Sequence, residues 1–246
     1  MLAPSFEATT NNPGTGGTTH SFTSPAITDA NYAIVSMVYE RDGANINSPA
    51  CTFDGVGQTR IAWHWGETGG NYWGVALWRV ASPGSSKNIV VSWGVSGGYH
   101  VSTCRTYKSV GLGDPHGAVA TATGESATPS VNVSSAVGEL VLDIANQNAD
   151  SFSAGGGQTE RHKIRYEAVM AAGSDEAGAA PTVTMSWTTD QPTRRWVIAG
   201  VSLKPQKAGS QVIWIFSKMQ NFMRELKLGR ITANELLEWY GELLPI

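Results

Sequence analysis

One five-residue segment matches the pattern that surrounds the nucleophile of many serine hydrolases. Gly94-Val95-Ser96-Gly97-Gly98 fits G-x-S-x-G. In those enzymes the serine stands on a strained turn between a strand and a helix. Here the residues from Tyr99 to Tyr107 alternate as a strand does, which predicts a glycine-rich turn between two strands instead. We therefore expect no hydrolase chemistry at Ser96 and no enzymatic activity in the chain.

A pair of acidic residues invites comparison with the two carboxylates of a glycosidase. Glu139 and Asp143 lie on the same face of one predicted strand. The opposite face of that strand carries Leu140, Leu142 and Ile144, which are predicted to be buried. We therefore expect both carboxylates on a solvated surface, without a catalytic role.

The histidines and cysteines show no spacing that is typical of a metal site. Cys51 and Cys104 lie in strand-like runs and are predicted to be buried, reduced thiols. A disulfide between neighbouring strands is the alternative. No metal and no cofactor are expected. The histidines considered were His20, His64, His100, His116 and His162.

The charge and the N-terminus indicate which partners are not expected. The net charge is −3, and the aromatic residues are not interleaved with a basic patch, so no nucleic-acid partner is predicted. Residues Met1 to Glu7 lack the basic and apolar regions of a signal peptide. No segment approaches the roughly 18 continuous apolar residues of a membrane span. We therefore expect neither a secretory signal nor contact with a membrane.

Three tryptophans in the first half of the chain are candidates for contact with a glycan. Trp63, Trp65 and Trp73 could stack against sugar rings if they were exposed in one row. The alternative is that they belong to the core, because aromatic residues are enriched in strands. Trp63 and Trp65 are predicted to share a strand face with Ile61, which favours the core.

Residues 1–204 predict a mainly β domain, an antiparallel β-sandwich of the jelly-roll kind. Short alternating segments are separated by turns rich in glycine, proline and serine. Long loops are predicted at residues 111–126 and 150–157, and one strand is predicted to run from Gln158 to Met170. No internal repeat at a fixed period is evident.

The last 36 residues, Gln211 to Ile246, differ from the domain before them. Residues 205–210 have the composition of a linker, and after them the hydrophobic period changes from two to about 3.6. Residues 211–246 therefore predict a short α-helical hairpin. Gly229 is placed to end the first helix, and Thr232 to Glu235 forms a capping box that begins the second.

The predicted hairpin carries more apolar surface than about 30 residues can bury alone. We expect it to mediate assembly with copies of the chain or with other proteins, because apolar patches of this size mark interfaces. Docking on its own β domain is the alternative. The predicted interface residues are Val212, Ile215, Phe216, Met219, Phe222, Met223, Leu226, Leu236, Trp239, Tyr240 and Leu243.

Several segments resemble those of a known group of proteins. They are Phe53 to Thr59, Val75 to Gly84, Asn88 to Trp93 and Trp196 to Pro205. Through them the β domain resembles the jelly-roll or concanavalin-like domains of tailed-bacteriophage virion proteins and of some bacterial surface proteins. The segment Leu228 to Leu236 is similar to short C-terminal oligomerisation motifs of bacterial proteins.

The resemblance implies a non-enzymatic accessory protein of a virion, such as a capsid decoration protein, a head fibre or a tail-associated protein. Such a protein assembles in the host cytoplasm, and its partners would be copies of itself or other virion proteins, bound through the C-terminal helices. The alternative is a carbohydrate-binding or adhesin module that recognises surface glycans. A more distant alternative is a jelly-roll enzyme that degrades glycans.

Overall fold

The computed structural model describes residues 1–207, which form antiparallel strands joined by turns and loops. Residues Met1 to Gln206 make up one compact unit. The predicted helical hairpin at 211–246, and all of the assembly residues predicted on it, lie outside the described residues. Pro205 and Gln206, at the start of the predicted linker, form isolated bridges with Val110 and Leu2.

The first half of this unit, which we call the first sandwich, consists of two sheets. One sheet has five strands in the order β1-β9-β3-β7-β6, and the other has four in the order β2-β8-β4-β5. The strands are β1 (Ser5–Thr15), β2 (Thr19–Thr23), β3 (Tyr32–Asp42), β4 (Ala50–Phe53), β5 (Val56–Gly57), β6 (Thr59–Thr68), β7 (Asn71–Ala81), β8 (Asn88–Ser92) and β9 (Tyr99–Lys108).

The second half, the second sandwich, also consists of two sheets. A five-stranded sheet has the order β10-β17-β12-β15-β14, and a three-stranded sheet has the order β11-β16-β13. The strands are β10 (His116–Glu125), β11 (Ser130–Ser134), β12 (Leu140–Gln147), β13 (Phe152–Ala154), β14 (Thr159–Tyr166), β15 (Val169–Ala177), β16 (Thr182–Thr189) and β17 (Arg195–Leu203).

The two sandwiches repeat one topology. If β1, β9, β3, β7 and β6 are matched with β10, β17, β12, β15 and β14, the two five-stranded sheets have the same strand order. The smaller sheets match likewise, with β2-β8-β4 corresponding to β11-β16-β13. The sequence shows no repeat at a fixed period, but the strand order of the two sandwiches is repeated.

Three apolar cores lie between the four sheets. The central core fills the space between the two five-stranded sheets, with Ile34, Leu77, Leu142 and Val201 among its buried residues. A second core lies inside the first sandwich, and a third lies inside the second sandwich around Trp187. Each five-stranded sheet is thus covered on both faces, which explains dense apolar runs such as the one that begins at Tyr32.

The five-stranded sheets pack so that the two sandwiches are related by an approximate two-fold axis. β3 faces β12 near the middle of the contact, β1 packs against β14, and β6 packs against β10. Because β10 and β14 are the counterparts of β1 and β6, the two edge contacts are equivalent. The packing thus has the geometry of an isologous dimer contained within one chain.

Buried polar side chains join the sandwiches across the central core. The guanidinium of Arg105 on β9 donates to the backbone oxygens of Asp143 and Ser174, at 2.7 Å and 3.1 Å. In the reverse direction the amide of Asn146 on β12 donates to the backbone oxygen of Tyr39 at 2.8 Å. These contacts fix the position of one sandwich relative to the other.

The mainly β antiparallel architecture agrees with the sequence prediction, but several segments differ. Most of the predicted loop at 111–126 is the edge strand β10, and the predicted loop at 150–157 contains β13 with the buried Phe152. The segment predicted as one strand from Gln158 to Met170 is a hairpin, β14 followed by β15.

Candidate ligand-binding groove

The segment that matches the hydrolase pattern is a loop between two strands, as its sequence predicts. β8 ends at Ser92 and β9 begins at Tyr99, so no helix follows Ser96. Gly97 and Gly98 have positive φ angles of 106° and 83°. A Cβ at Gly98 would lie 2.4 Å from the backbone oxygen of Glu40, so glycine lets the loop pass close against β3.

This close approach forms one wall of a groove of about 320 Å³. The groove lies at the ends of β1, β3 and β9, in the first sandwich. Its lining contains two carboxyl groups, one guanidinium, three hydroxyl groups and the backbone of three glycines. The lining residues are Thr15, Gly16, Glu40, Arg41, Asp42, Ser96, Gly97, Gly98 and Tyr99.

The strand register explains why these side chains meet. Tyr99 of β9 is paired with Thr15 of β1 on one side and with Glu40 of β3 on the other. Glu40 is paired in turn with Trp73 of β7. Directly paired residues point to the same face of a sheet, with Cβ atoms roughly 5 Å apart. The side chains of Thr15, Tyr99, Glu40 and Trp73 therefore form a row across one face of the sheet. Asp42, two residues after Glu40, lies on the same face.

Glu40 is the unusual member of the row. It is 7% exposed, and its carboxyl group makes no hydrogen bond or ion pair within the described residues. Burial raises its pKa to about 6, and the nearby Asp42 acts in the same direction. Sequence reasoning did not single out Glu40, although it directly continues the buried run of β3. A charged residue that extends such a run was the available signal.

The rest of the groove is held by contacts of its own. Arg41 donates from Nη1 to the backbone oxygen of Ala44 at 2.9 Å. The hydroxyls of Thr15 and Tyr166 are hydrogen-bonded at 2.7 Å. The ring of Tyr99 meets the ring of Tyr166 edge to face, with centroids 6.3 Å apart. Because Tyr166 belongs to β14, the second sandwich supports this wall of the groove.

The three tryptophans predicted for glycan contact do not form one exposed row. Trp65 is 42% exposed, and its ring lies 5.7 Å from that of Tyr72. Trp63 is partly buried against the core of the first sandwich, with the guanidinium of Arg60 over its ring. Trp73 is 6% exposed and belongs to the central core, on the opposite face of the sheet.

The predicted face shared by Ile61 and Trp63 is wrong because of a β-bulge. The register of β6 with β7 shifts between Arg60 and Ala62, and Ile61 is the extra residue. A bulge turns the following residues to the other face. Ile61 and Ala62 consequently both contribute to the central core, whereas Trp63 packs against the other core.

Of the acid pair considered for glycosidase chemistry, Asp143 is not on a solvated surface. It is fully buried, and its carboxylate accepts hydrogen bonds from Ser174 N, Ser174 Oγ and Trp187 Nε1. Burial raises the pKa of Asp143 to about 6, partly offset by these donors. The prediction of a solvated face fails because β12 is covered on both faces. Glu139 is partly exposed and accepts from the backbone N–H of Ala136.

Neither the cysteines nor the acidic residues form a metal site in the described part of the chain. No group of three or more His, Cys, Asp or Glu side chains there is placed to hold a metal ion. Cys51 and Cys104 are free, buried thiols in the core of the first sandwich. Burial raises the pKa of Cys51 to about 12, which keeps this thiol protonated.

Within residues 1–207, we find no helix with the length and apolar character needed to cross a membrane. Comparison of the chain with protein-family models, with curated proteins and with solved structures gave no match. The geometry of the groove and of the two sandwiches is therefore the basis for the functional argument.

Proposed function

We propose that the chain is a non-enzymatic accessory protein of a virion, a capsid decoration, head-fibre or tail-associated protein. Its β body is displayed on the particle, and its C-terminal segment mediates assembly. The observation that supports this proposal is that, among the described residues, those between Phe6 and Leu203 pack with one another into three apolar cores. The apolar residues Val212 to Leu243 lie outside the described residues, and for them we propose a partner, because an apolar stripe of this size is typical of an interface.

The finer features of the fold belong to the same proposal. Successive strands β1 and β2, and likewise β8 and β9, alternate between the two sheets of the first sandwich. This alternation supports a jelly roll in each half. For residues 211–246 we propose the helical hairpin that the period of about 3.6 and the capping box predict. Phage virion proteins resemble the body in the segments named above, which supports the placement in a virion.

Replacing Phe222 and Leu226 with aspartate tests the role of the C-terminal segment. Burial of each of these side chains in an interface is worth roughly 1.5–3 kcal/mol, and a charge there is strongly unfavourable. We expect the double variant to unfold at the same temperature as the wild type but to lose self-association and co-sedimentation with particles. Light scattering and a particle-binding assay measure these effects.

The control replaces Lys218 and Lys227, which fall mainly off the apolar stripe, with glutamine. This control is expected to assemble as the wild type does. If the aspartate variant kept its oligomeric state and its particle binding, the segment would not be an assembly device.

The groove favours a second candidate function, that of a carbohydrate-binding or adhesin module. Glu40 and Asp42 supply acceptors and Tyr99 supplies a ring, and all three residues line one cavity. Convergent polar groups in a concave site are typical of small-molecule binding. This function is compatible with display on a particle, because a displayed module can recognise a surface glycan.

A further inference from the structure

We infer that the groove lined by Glu40, Asp42 and Tyr99 binds one neutral pyranose unit, the terminal residue of a glycan. The inference rests on the second of the two functions proposed above. The proposed sugar site is thus this groove, where the two sandwiches meet, and not the three tryptophans predicted for glycan contact. The groove is built on the ends of β1, β3 and β9, so its polar groups are held by strands and not by a free loop.

The strongest argument is the carboxyl group of Glu40. It is 7% exposed, it lines the groove, and nothing in the described residues donates a hydrogen bond to it. Its oxygens are not among the described buried atoms that lack a partner, so the carboxyl group opens to the groove, where a ligand can reach it. A ligand that brings hydroxyl donors into the groove would satisfy Glu40.

The groove favours a neutral polar ligand over a metal ion. Its lining has two carboxyl groups, Glu40 and Asp42, and no group of three or more His, Cys, Asp or Glu side chains in the described residues is placed to hold a metal ion. A calcium ion would need six to eight oxygen ligands, and two carboxyl groups are too few to attract one strongly. A polyhydroxylated ligand suits such a lining, because its hydroxyls can donate to the two carboxyl groups.

The size and the aromatic wall restrict the ligand further. A cavity of about 320 Å³ is at the lower end of the range for ligand pockets. One pyranose ring suits this volume better than an extended oligosaccharide. Tyr99, supported from behind by Tyr166, offers an aromatic surface for the C–H groups of the ring. The hydroxyls of Thr15 and Ser96 lie at the margin of the groove as further partners.

The test is a titration of the full chain with glucose, galactose, mannose and N-acetylglucosamine, followed by ¹H–¹⁵N NMR and by saturation-transfer NMR. At least one sugar is expected to bind with a dissociation constant of about 1 mM, as its small size allows. The amide signals of Glu40, Ser96 and Tyr99 are expected to shift.

Two variants locate the site. Glu40→Gln, which keeps the side-chain shape, should weaken binding about tenfold, because hydrogen bonds to a charged acceptor are replaced by weaker ones. Ser96→Trp places a large side chain at an exposed position of the loop and should abolish binding without entering the core. Glu160→Gln, at an exposed carboxyl of the second sandwich, is the matched control and should bind as the wild type does.

Three results would overturn the inference. One is that no sugar in the panel binds at tens of millimolar, roughly ten times the expected constant. Another is that binding survives in Ser96→Trp. The third is that Trp65→Ala abolishes binding while Glu40→Gln does not, which would place the sugar on the exposed Trp65 and Tyr72. None of these results affects particle binding by the C-terminal segment, so the accessory function is tested separately.

Discussion

At the scale of single residues, the protein contains several titratable groups that burial holds neutral. His100 is one of them, in the core of the first sandwich. Its ring lies 4.5 Å from that of His20 and 4.8 Å from that of Trp93, and its Nε2 has no partner in the described structure. Burial, with a smaller contribution from the neighbouring His20, lowers the pKa of His100 to about 4.

The stability of the protein should therefore fall in acid. Between pH 6.5 and about 4 the unfolded chain protonates His100 while the folded chain does not. The unfolded state then binds more protons, so stability is lost as the pH falls through this window, by about 3 kcal/mol. In His100→Leu this component is absent. We expect the stability of this variant, relative to the wild type, to rise by that amount between pH 7 and pH 4.

Urea unfolding at several pH values measures the effect. The comparison uses the change in the difference between the two proteins, so any cost of the substitution at pH 7 cancels. If the two curves of stability against pH ran parallel, burial of a neutral His100 would not contribute to acid sensitivity.

At the scale of strands, the elements that sequence analysis missed are mostly at sheet edges. β1 and β10 are edge strands, and their residues are largely small or polar. An edge strand is ordered by hydrogen bonds to one neighbour, which leave little hydrophobic signal in its sequence. The turn at Glu167 was missed for another reason. Glu167 has a φ of 50° without glycine, asparagine or aspartate to signal it.

The groove could be predicted even less from the sequence, because strand register creates it. Glu40 and Tyr99 are far apart in the chain and become neighbours only through the pairing of β3 with β9. The alternation within each strand is local and readable, whereas the register between distant strands is not. The predicted face shared by Ile61 and Trp63 failed because the bulge in β6 is equally hidden in the sequence.

The strand pairing in the second sandwich depends on an arginine from the first. β12 pairs with β15 at Leu142 and again at Ala145, and the ladder is interrupted between these pairs. The guanidinium of Arg105, which is fully buried, binds the backbone oxygens of Asp143 and Ser174 in this interruption. Arg105 thus replaces strand-to-strand hydrogen bonds with bonds from the other sandwich.

Arg105→Met should therefore be strongly destabilising. It leaves two buried carbonyl groups without donors, each at a cost of about 1–3 kcal/mol, so a loss of about 2–6 kcal/mol is expected. The midpoint of denaturant unfolding measures it. The matched control is Arg165→Met, whose ion pair with Asp150 at 3.3 Å is exposed. That control should cost less than about 1 kcal/mol. Equal losses in the two variants would contradict a joining role for Arg105.

At the scale of the whole molecule, the repeat is visible in a few residues once the topology is known. Val75 precedes Trp93 by the same number of residues as Val169 precedes Trp187, and a serine comes directly before each of these tryptophans. Gly57-Gln58-Thr59 at the start of β6 recurs as Gly157-Gln158-Thr159 at the start of β14. The hairpin that follows is longer in the first sandwich, so the repeat has no single period, and a search for a fixed period does not detect it.

The repeat also predicts how each half behaves alone. A chain of residues 1–110 would expose its part of the central core, including Ile34, Leu77 and Val101. Such a surface is too apolar to stay in water. Because the two sandwiches meet through an approximate two-fold axis, the isolated half is expected to pair with a second copy through the same face, or to aggregate. Light scattering after size-exclusion chromatography distinguishes these outcomes from a monomer.

In the intact chain the two halves should unfold in one cooperative transition, since both halves contribute to the central core. A stable, folded monomer of residues 1–110 would show instead that each sandwich is an independent domain and that the central core contributes little to either.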